Sequence, residues 1–412
     1  MVPITTMGES PVPMIYTPSS EPDMPLQGLF ILGRNDFHLI YGQEEQERIA
    51  QLVDIYAPPQ TPESVKNNPE ILADADVIFS GWNMCRIDQA FLDAAPKLKL
   101  IFYGGGSISG HIATPEAIAR GITVTTAAEA NSIPVAEYTL AMILFSLKHG
   151  WRLAREAKEH RRWVERNGAP GCFRRTVGLI SMGAVARALL KRLHIFDLRV
   201  VAYDPFLSAE EADALGVELV PLDELFRRSD VVSLHTPELP TTVGLITGVH
   251  LSSLKHGGAF INTARGVIVR RDELIQVATQ RPDLQFVLDV TETPERRIPE
   301  WPEESSPLYT LPNVVLTPHI AGSAGQECLR MGQCMVEELT RYLAGEPLRW
   351  QITPRIDTQA NPAVLAAAFD KDKSSNGYAP DSPRQKNFSY HVAPTHKFPI
   401  SILGGERTQH EA

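Results

Sequence analysis

Two residues stand where a carbonyl acid could be held and protonated. Arg265 follows the run Phe260-Ile261-Asn262-Thr263-Ala264, and His319 follows Val314-Val315-Leu316-Thr317-Pro318. Each lies just past an apolar, strand-like stretch, which is where open α/β sheets place their ligands. A guanidinium captures a carboxylate through two parallel hydrogen bonds. An imidazole exchanges a proton near neutral pH, and a carboxylate beside it raises its pKa and fixes its tautomer. Together they suit the reduction of a 2-oxo acid or the oxidation of a 2-hydroxy acid, in which a hydroxyl proton must come and go beside a carboxylate.

Such chemistry needs a hydride carrier, and a third motif suggests where one would sit. Thr176-Val177-Gly178-Leu179-Ile180-Ser181-Met182-Gly183-Ala184-Val185-Ala186 runs from a strand-like segment into a helix-like one. It reads as the dinucleotide fingerprint G-x-G-x-x-G/A with serine at the first position. Gly183 stands where backbone approaches a pyrophosphate, and Ala186 is small enough for close helix–strand packing. Ser181 is a departure, because serine makes that tight turn comfortably only at negative φ. Val200-Val201-Ala202-Tyr203-Asp204 then ends in an acid at the spacing expected for a ribose-binding carboxylate. A carboxylate there repels a 2′-phosphate, so the expected cofactor is NAD rather than NADP.

The elements that must position these groups alternate along the chain. Apolar runs of strand length fall at 27–33, 76–80, 98–102 and 122–126, with helix-like stretches at 44–55 and 87–95 between them. Two helical segments follow, at 133–148 and 151–166. The alternation resumes with strands at 176–181, 198–203, 230–234, 258–262, 284–288 and 313–317, and helices at 183–194, 208–215, 222–228, 249–255, 271–279 and 323–344. This pattern predicts parallel, doubly wound α/β architecture. At 412 residues, with 43% hydrophobic and 21% charged residues, the chain has room for two domains with sizeable cores. Residues 1–25 read as a flexible arm, and 358–412 as a tail without regular order.

Composition narrows the partners. A net charge of −10 argues against general affinity for nucleic acid. No signal-peptide pattern is seen, and no apolar stretch approaches the roughly 20 residues of a membrane span. The four cysteines, Cys85, Cys172, Cys328 and Cys334, have neither disulfide nor zinc spacing. These features suggest a cytoplasmic protein with no metal and no membrane or nucleic-acid partner.

Read together and in order, the motifs resemble the D-isomer-specific 2-hydroxyacid dehydrogenases. The carrying segments are APKLKLI (95–101), ANSIPVAEYTLAMIL (130–144), TVGLISMGAVAR (176–187), VVAYDP (200–205), SDVVSLHTPELPTT (229–242), INTARG (261–266), LDV (288–290) and LPNVVLTPHIAGS (311–323). The resemblance implies a Rossmann NAD-binding domain at 133–319, inserted in a flavodoxin-like substrate domain at 26–132 and 320–357. It implies that Arg265 binds the substrate and that His319 is the acid/base. Gly183, Ala184, Val185 and Asp204 would hold NAD. Thr236, within His235-Thr236-Pro237, and Thr263 would line the cofactor. Asp289 would lie near its nicotinamide carboxamide. A loop containing Gly105, Gly106 and Ser107 would meet the small 2-oxo or 2-hydroxy acid, in a chain paired as a homodimer.

Beyond Ser181, the chain departs from the family pattern at two places. Tyr103-Gly104-Gly105-Gly106-Ser107-Ile108-Ser109 stands where many relatives have R-x-G-x-G-x-D, so it lacks that Arg and Asp, although its glycines still let backbone N–H groups face a carboxylate. The family's D-V-x-x-x-E-P places a glutamate beside the histidine, but the ungapped count from Asp289 lands on Pro294. Glu295 would take the role, or alternatively Glu292. If neither reaches His319, its pKa is expected to stay nearer the reference of about 6.5. These departures motivate the alternative of a non-catalytic, NAD(H)-binding regulatory or corepressor-like protein on the same scaffold.

Overall fold

The computed structural model describes residues 25–106, 111–292, 300–354 and 390–392. Two parallel sheets organise it. The first has strands β1 (Gln27–Ile31), β2 (Asp54–Ile55), β3 (Val77–Ser80), β4 (Leu100–Tyr103) and β5 (Thr123–Thr126), in the order β2-β1-β3-β4-β5. This 2-1-3-4-5 order is the flavodoxin-like winding. The second has β6 (Thr176–Ile180), β7 (Arg199–Tyr203), β8 (Glu218–Leu219), β9 (Val231–Leu234), β10 (Ala259–Asn262), β11 (Gln285–Leu288) and β12 (Val314–Leu316), in the order β12-β11-β10-β9-β6-β7-β8. Counted from β6, this is 3-2-1-4-5-6 with one further edge strand, a Rossmann sheet whose direction of winding reverses between β6 and β9.

The central strands are buried on both faces, so they read as continuous apolar runs rather than as alternating ones. In β10, Phe260 packs into one hydrophobic cluster while Ala259 and Ile261 enter the cluster on the opposite face. Fully burying side chains of this size contributes about 1.5–3 kcal/mol each, which fixes the register of the strand and the direction in which its end points. In the first sheet, Phe79 and Phe102 stack with ring centroids 5.4 Å apart. The buried Tyr41 hydroxyl donates to Ser80 O at 2.9 Å, tying the end of β3 to the layer above it.

Between the sheets runs a helix of 20 residues, Ala128–Leu147. It begins five residues before the expected 133, and Pro134 lies inside it rather than at its start. It is also long and apolar enough to cross a membrane, which corrects the expectation that no such stretch exists. Its neighbours account for its composition: it packs on the helices Ala184–Leu193 and Leu329–Leu343 and on β9 and β10. A helix enclosed on several sides is apolar nearly all round.

The arm at 1–24 and positions 107–110 and 293–299 lie outside the described residues. So does the tail, save for β14 (Tyr390–Val392), which pairs antiparallel with β13 (Ile352–Pro354).

Candidate active site

The candidate residues gather at the carboxyl ends of the strands. Gly183 follows β6, Asp204 follows β7, Thr236 follows β9, Arg265 follows β10, Asp289 follows β11 and His319 follows β12. The two sheets point these edges toward each other. Gly105 and Gly106 follow β4, and Arg265 lies near enough for its charge to act on Tyr103 at the end of that strand. Asn131, at the start of the interdomain helix, accepts from Ser323 N at 2.9 Å. A Cβ on Gly106 would strike the Asn131 amide.

Arg265 is set by a tight turn. The Asn262 carboxamide, buried under the sheet end, accepts from Ala264 N at 3.0 Å and donates to Arg265 O at 3.1 Å. The guanidinium donates back to Ala264 O at 2.7 Å. Gly266 must be glycine, because a Cβ would sit 2.1 Å from the backbone carbon of Thr291. The chains after β10 and β11 are thus pressed together.

His319 is set by Asp289. One oxygen of that carboxylate, Oδ1, accepts from Thr317 Oγ1 at 2.7 Å and from Ile320 N at 2.9 Å; Oδ2 accepts from Ala321 N at 2.9 Å. Because Thr317 spends its proton on Asp289, Tyr138 is the donor in the 2.7 Å contact between their hydroxyls. His319 itself has φ 53°, a left-handed conformation that is uncommon outside glycine, and its N–H is directed to Asp289 O. Burial pushes the imidazole below its ordinary pKa, the Arg265 charge pushes the same way, and Asp289 opposes both.

Glu300 is the residue that linear reasoning missed. Thr291 N donates to Glu300 O at 3.1 Å, and Glu300 Oε1 lies 3.4 Å from Gly266 N. The carboxyl is therefore beside Arg265 although positions 292–299 intervene. Burial raises its pKa, and Arg265 and the Gly266 N–H partly offset that rise. Glu292 lies against Gly266; Pro294, Glu295 and Ser107 lie outside the described residues.

The residues expected to hold the dinucleotide lie past the ends of β6, β7, β9, β10 and β11. A Cβ on Gly183 would meet nothing within 4 Å. The protein itself has no need of glycine there, so the space suits a ligand. The ten-residue helix Ala184–Leu193, which begins with Ala184 and Val185, has no side-chain cap at its N-terminus, leaving backbone N–H groups free for a pyrophosphate. Asp204 accepts from Met182 N at 2.7 Å and Phe206 N at 2.8 Å, which holds its carboxylate at the rim. Ser181 departs from the negative φ expected of it and takes φ 71°. Its hydroxyl contacts Thr236 Oγ1 at 2.9 Å, bracing the turn that glycine would otherwise make. Thr263 contacts Thr139 Oγ1 at 3.3 Å. The buried His235 ring is pushed down to about 3 and is therefore neutral.

Asp204→Ala should weaken NADH by about 10- to 100-fold, the worth of charge-assisted hydrogen bonds, and weaken NADPH less. Fluorescence titration of the two nucleotides measures the ratio, and an unchanged ratio would remove Asp204 from cofactor choice.

Two doubly wound α/β domains, the second carrying past its strand ends an uncapped helix start after Gly183, the acid Asp204, and Arg265 and His319, have the architecture of a dinucleotide-binding protein. Comparison with known proteins gives the family. Residues 140–321 match the NAD-binding domain of the D-isomer-specific 2-hydroxyacid dehydrogenases. D-3-phosphoglycerate dehydrogenase of Archaeoglobus fulgidus is 35% identical over 266 residues, covering 64% of this chain and 49% of the relative. Glyoxylate reductase of Thermofilum pendens is 32% identical over 267 residues, covering 63% and 76%. D-lactate dehydrogenase from Aquifex aeolicus, solved with NAD and lactic acid, superposes with a TM-score of 0.60 at 27% identity, over 77% of this chain and 96% of that one. The chain belongs to the D-isomer-specific 2-hydroxyacid dehydrogenase family and carries its NAD-binding domain. The match spans about half the length of the phosphoglycerate dehydrogenases. Among the described residues, no group of three His, Cys, Asp or Glu is placed to hold a metal.

Proposed function

We propose that this chain interconverts a small D-2-hydroxy acid and its 2-oxo acid, with NAD as the hydride carrier. The observation that carries the reading is the presence of Arg265 and His319 past the ends of β10 and β12, the two strands that flank β11, close enough for the guanidinium to act on the imidazole. NAD, held by Gly183, the helix that follows it, and Asp204, would supply or accept the hydride. Arg265 would grip the carboxylate and polarise the carbonyl. His319 would give its proton to the carbonyl oxygen in reduction and take it back in oxidation. The Tyr138–Thr317–Asp289 chain would keep that ring in place. A purely NAD-binding regulatory role would need neither Arg265 nor His319.

Glu300, rather than Glu292 or Glu295, would be the carboxylate serving this pair. Its charge would offset that of Arg265, which acts against the imidazolium, so Glu300→Gln should move the pH limb of reduction to lower pH. At pH 7 it should cost about tenfold in kcat/KM, the equivalent of one pKa unit. Glu292→Gln and Glu295→Gln should leave the limb in place. A profile that moves with Glu295 and not with Glu300 would reverse the assignment.

The reading includes a reducing, cytoplasmic setting and a homodimer. The helix Gly150–His160 has no buried residue, and Phe145, Trp163 and Phe173 around it are exposed, which suits a second copy packed there. Steady-state NADH oxidation with glyoxylate, pyruvate, hydroxypyruvate and phenylpyruvate tests the activity. Tight NADH binding with no turnover of any of them would instead favour the regulatory role.

A further inference from the structure

Resting on the proposed activity, we infer that Tyr103 selects the substrate: the site takes 2-oxo acids with one negative charge and an uncharged tail, and rejects those bearing a second anionic group.

Tyr103 ends β4, at the base of the glycine loop, and its side chain is buried. Its ring lies directly beneath Gly105, whose Cβ, if it had one, would sit 2.7 Å from the Tyr103 hydroxyl. The glycine is what allows the phenol to reach the surface of the loop. Among the described residues, that hydroxyl has no hydrogen-bond partner. Burial raises the Tyr103 pKa to about 12 against the opposing charge of Arg265. The group therefore remains a neutral donor throughout the working pH range.

The surrounding charges decide what this donor can meet. Arg265 is the cation that acts on Tyr103, Glu300 and His319 alike. The carboxylates that act on them are Asp36 on Tyr103, Glu238 on Glu300 and Asp289 on His319. One guanidinium satisfies one substrate carboxylate. A phosphate or second carboxylate on the tail would meet a neutral phenol with the Asp36 carboxylate near enough to act on it. A neutral donor does not compensate a desolvated anion, and like charges brought together cost several kcal/mol. Such a substrate differs from the one named in the phosphoglycerate dehydrogenases that this chain resembles.

The test compares kcat/KM, with NADH, for pyruvate and phenylpyruvate against oxaloacetate and 3-phosphohydroxypyruvate. It uses the full chain and its Tyr103→Phe and Tyr103→Arg variants. The wild type should favour the singly charged acids by about 100-fold or more. Tyr103→Phe should raise KM for them by about threefold to tenfold, the worth of one hydrogen bond, and affect KM more than kcat. Tyr103→Arg should shift the ratio toward the doubly charged acids. NADH affinity and the unfolding temperature of each variant separate loss of fold from loss of contact. A wild-type preference for a doubly charged acid, or an unmoved KM in Tyr103→Phe, overturns the inference and leaves the activity standing. If no acid is turned over, the activity fails separately. Oxamate binding to the NADH complex then serves in place of KM: equal binding to wild type and Tyr103→Phe overturns the role of Tyr103, and weaker binding to the variant supports it.

Discussion

His319→Gln is expected to lower kcat for reduction by about 10²- to 10⁴-fold, the range for a lost general acid, while NADH affinity stays near that of the wild type. The ring stands past the end of β12, so in the proposed reaction its removal would take away a proton donor and not a cofactor contact. Arg265→Ala should act differently. Truncating one member of a desolvated charge pair costs about 2–5 kcal/mol, which lowers kcat/KM by roughly 30- to 5,000-fold with a large share in KM. The double variant should lose less than the product of the two, because groups that act as a unit are not additive. The pH profiles follow from the neighbours of His319. Burial and Arg265 both disfavour the imidazolium, so kcat/KM for reduction should fall as pH rises through a pKa below the usual 6.5 of a histidine. A bound substrate carboxylate partly neutralises Arg265, so the corresponding limb in kcat should lie at higher pH. Full kcat/KM retained in Arg265→Ala would refute the assigned chemistry.

The parts of this arrangement that could be read from sequence are those set by local rules. Strands such as β6, β9, β10 and β11 are apolar on both faces and end in turns, so their limits could be placed within a residue or two. The two-residue strands β2 and β8 are too short to show any periodicity. The start of the interdomain helix was obscured by Pro134, which reads as a beginning but sits inside a helix that its neighbours hold together. Asp204 and Gly183 followed from a fixed spacing. Glu300 did not, because its closeness to Arg265 depends on the main-chain bond between Thr291 and Glu300, which joins positions separated by a stretch of no set length. Tyr103 was visible only as a missing arginine. What it offers instead depends on burial, on the absent side chain of Gly105 and on charges from the other sheet, none of which has a linear signature. Ser181 shows the converse: its local preference was readable, but the Thr236 hydroxyl from a neighbouring strand end braces it in the disfavoured region.

Asp289 should prove as sensitive as the residues that touch substrate, because its carboxylate organises the turn that bears His319. Three donors converge on it, Thr317 Oγ1, Ile320 N and Ala321 N, and the carboxylate is buried. Asp289→Ala leaves Ile320 N and Ala321 N without an acceptor and makes Thr317 turn its proton to Tyr138. At about 1–3 kcal/mol for each unsatisfied group, the loss in unfolding free energy should be about 3 kcal/mol or more. His319 would also lose the hold on its left-handed backbone, since among the described residues no other side chain accepts from residues 320 and 321. Asp289→Asn separates shape from charge. The amide oxygen can still accept from two of the donors, but its NH₂ must face the third, so the stability loss should be smaller, about 1–3 kcal/mol. The negative charge that raises the His319 pKa is gone in both variants. The pH limb of reduction should therefore move to lower pH in the Asn variant even where the fold survives. Chemical denaturation gives the first quantity and the kcat/KM profile gives the second. The family resemblance would also put Asp289 near the nicotinamide carboxamide, and the two roles separate in the same experiment. A residue that mainly contacts cofactor would weaken NADH and leave stability alone; a residue that mainly holds the turn would do the reverse. Three donors already converge on Asp289 and leave Oδ2 one acceptor site, so a cofactor contact would be at most one bond of four and the larger effect should fall on stability and on the His319 titration.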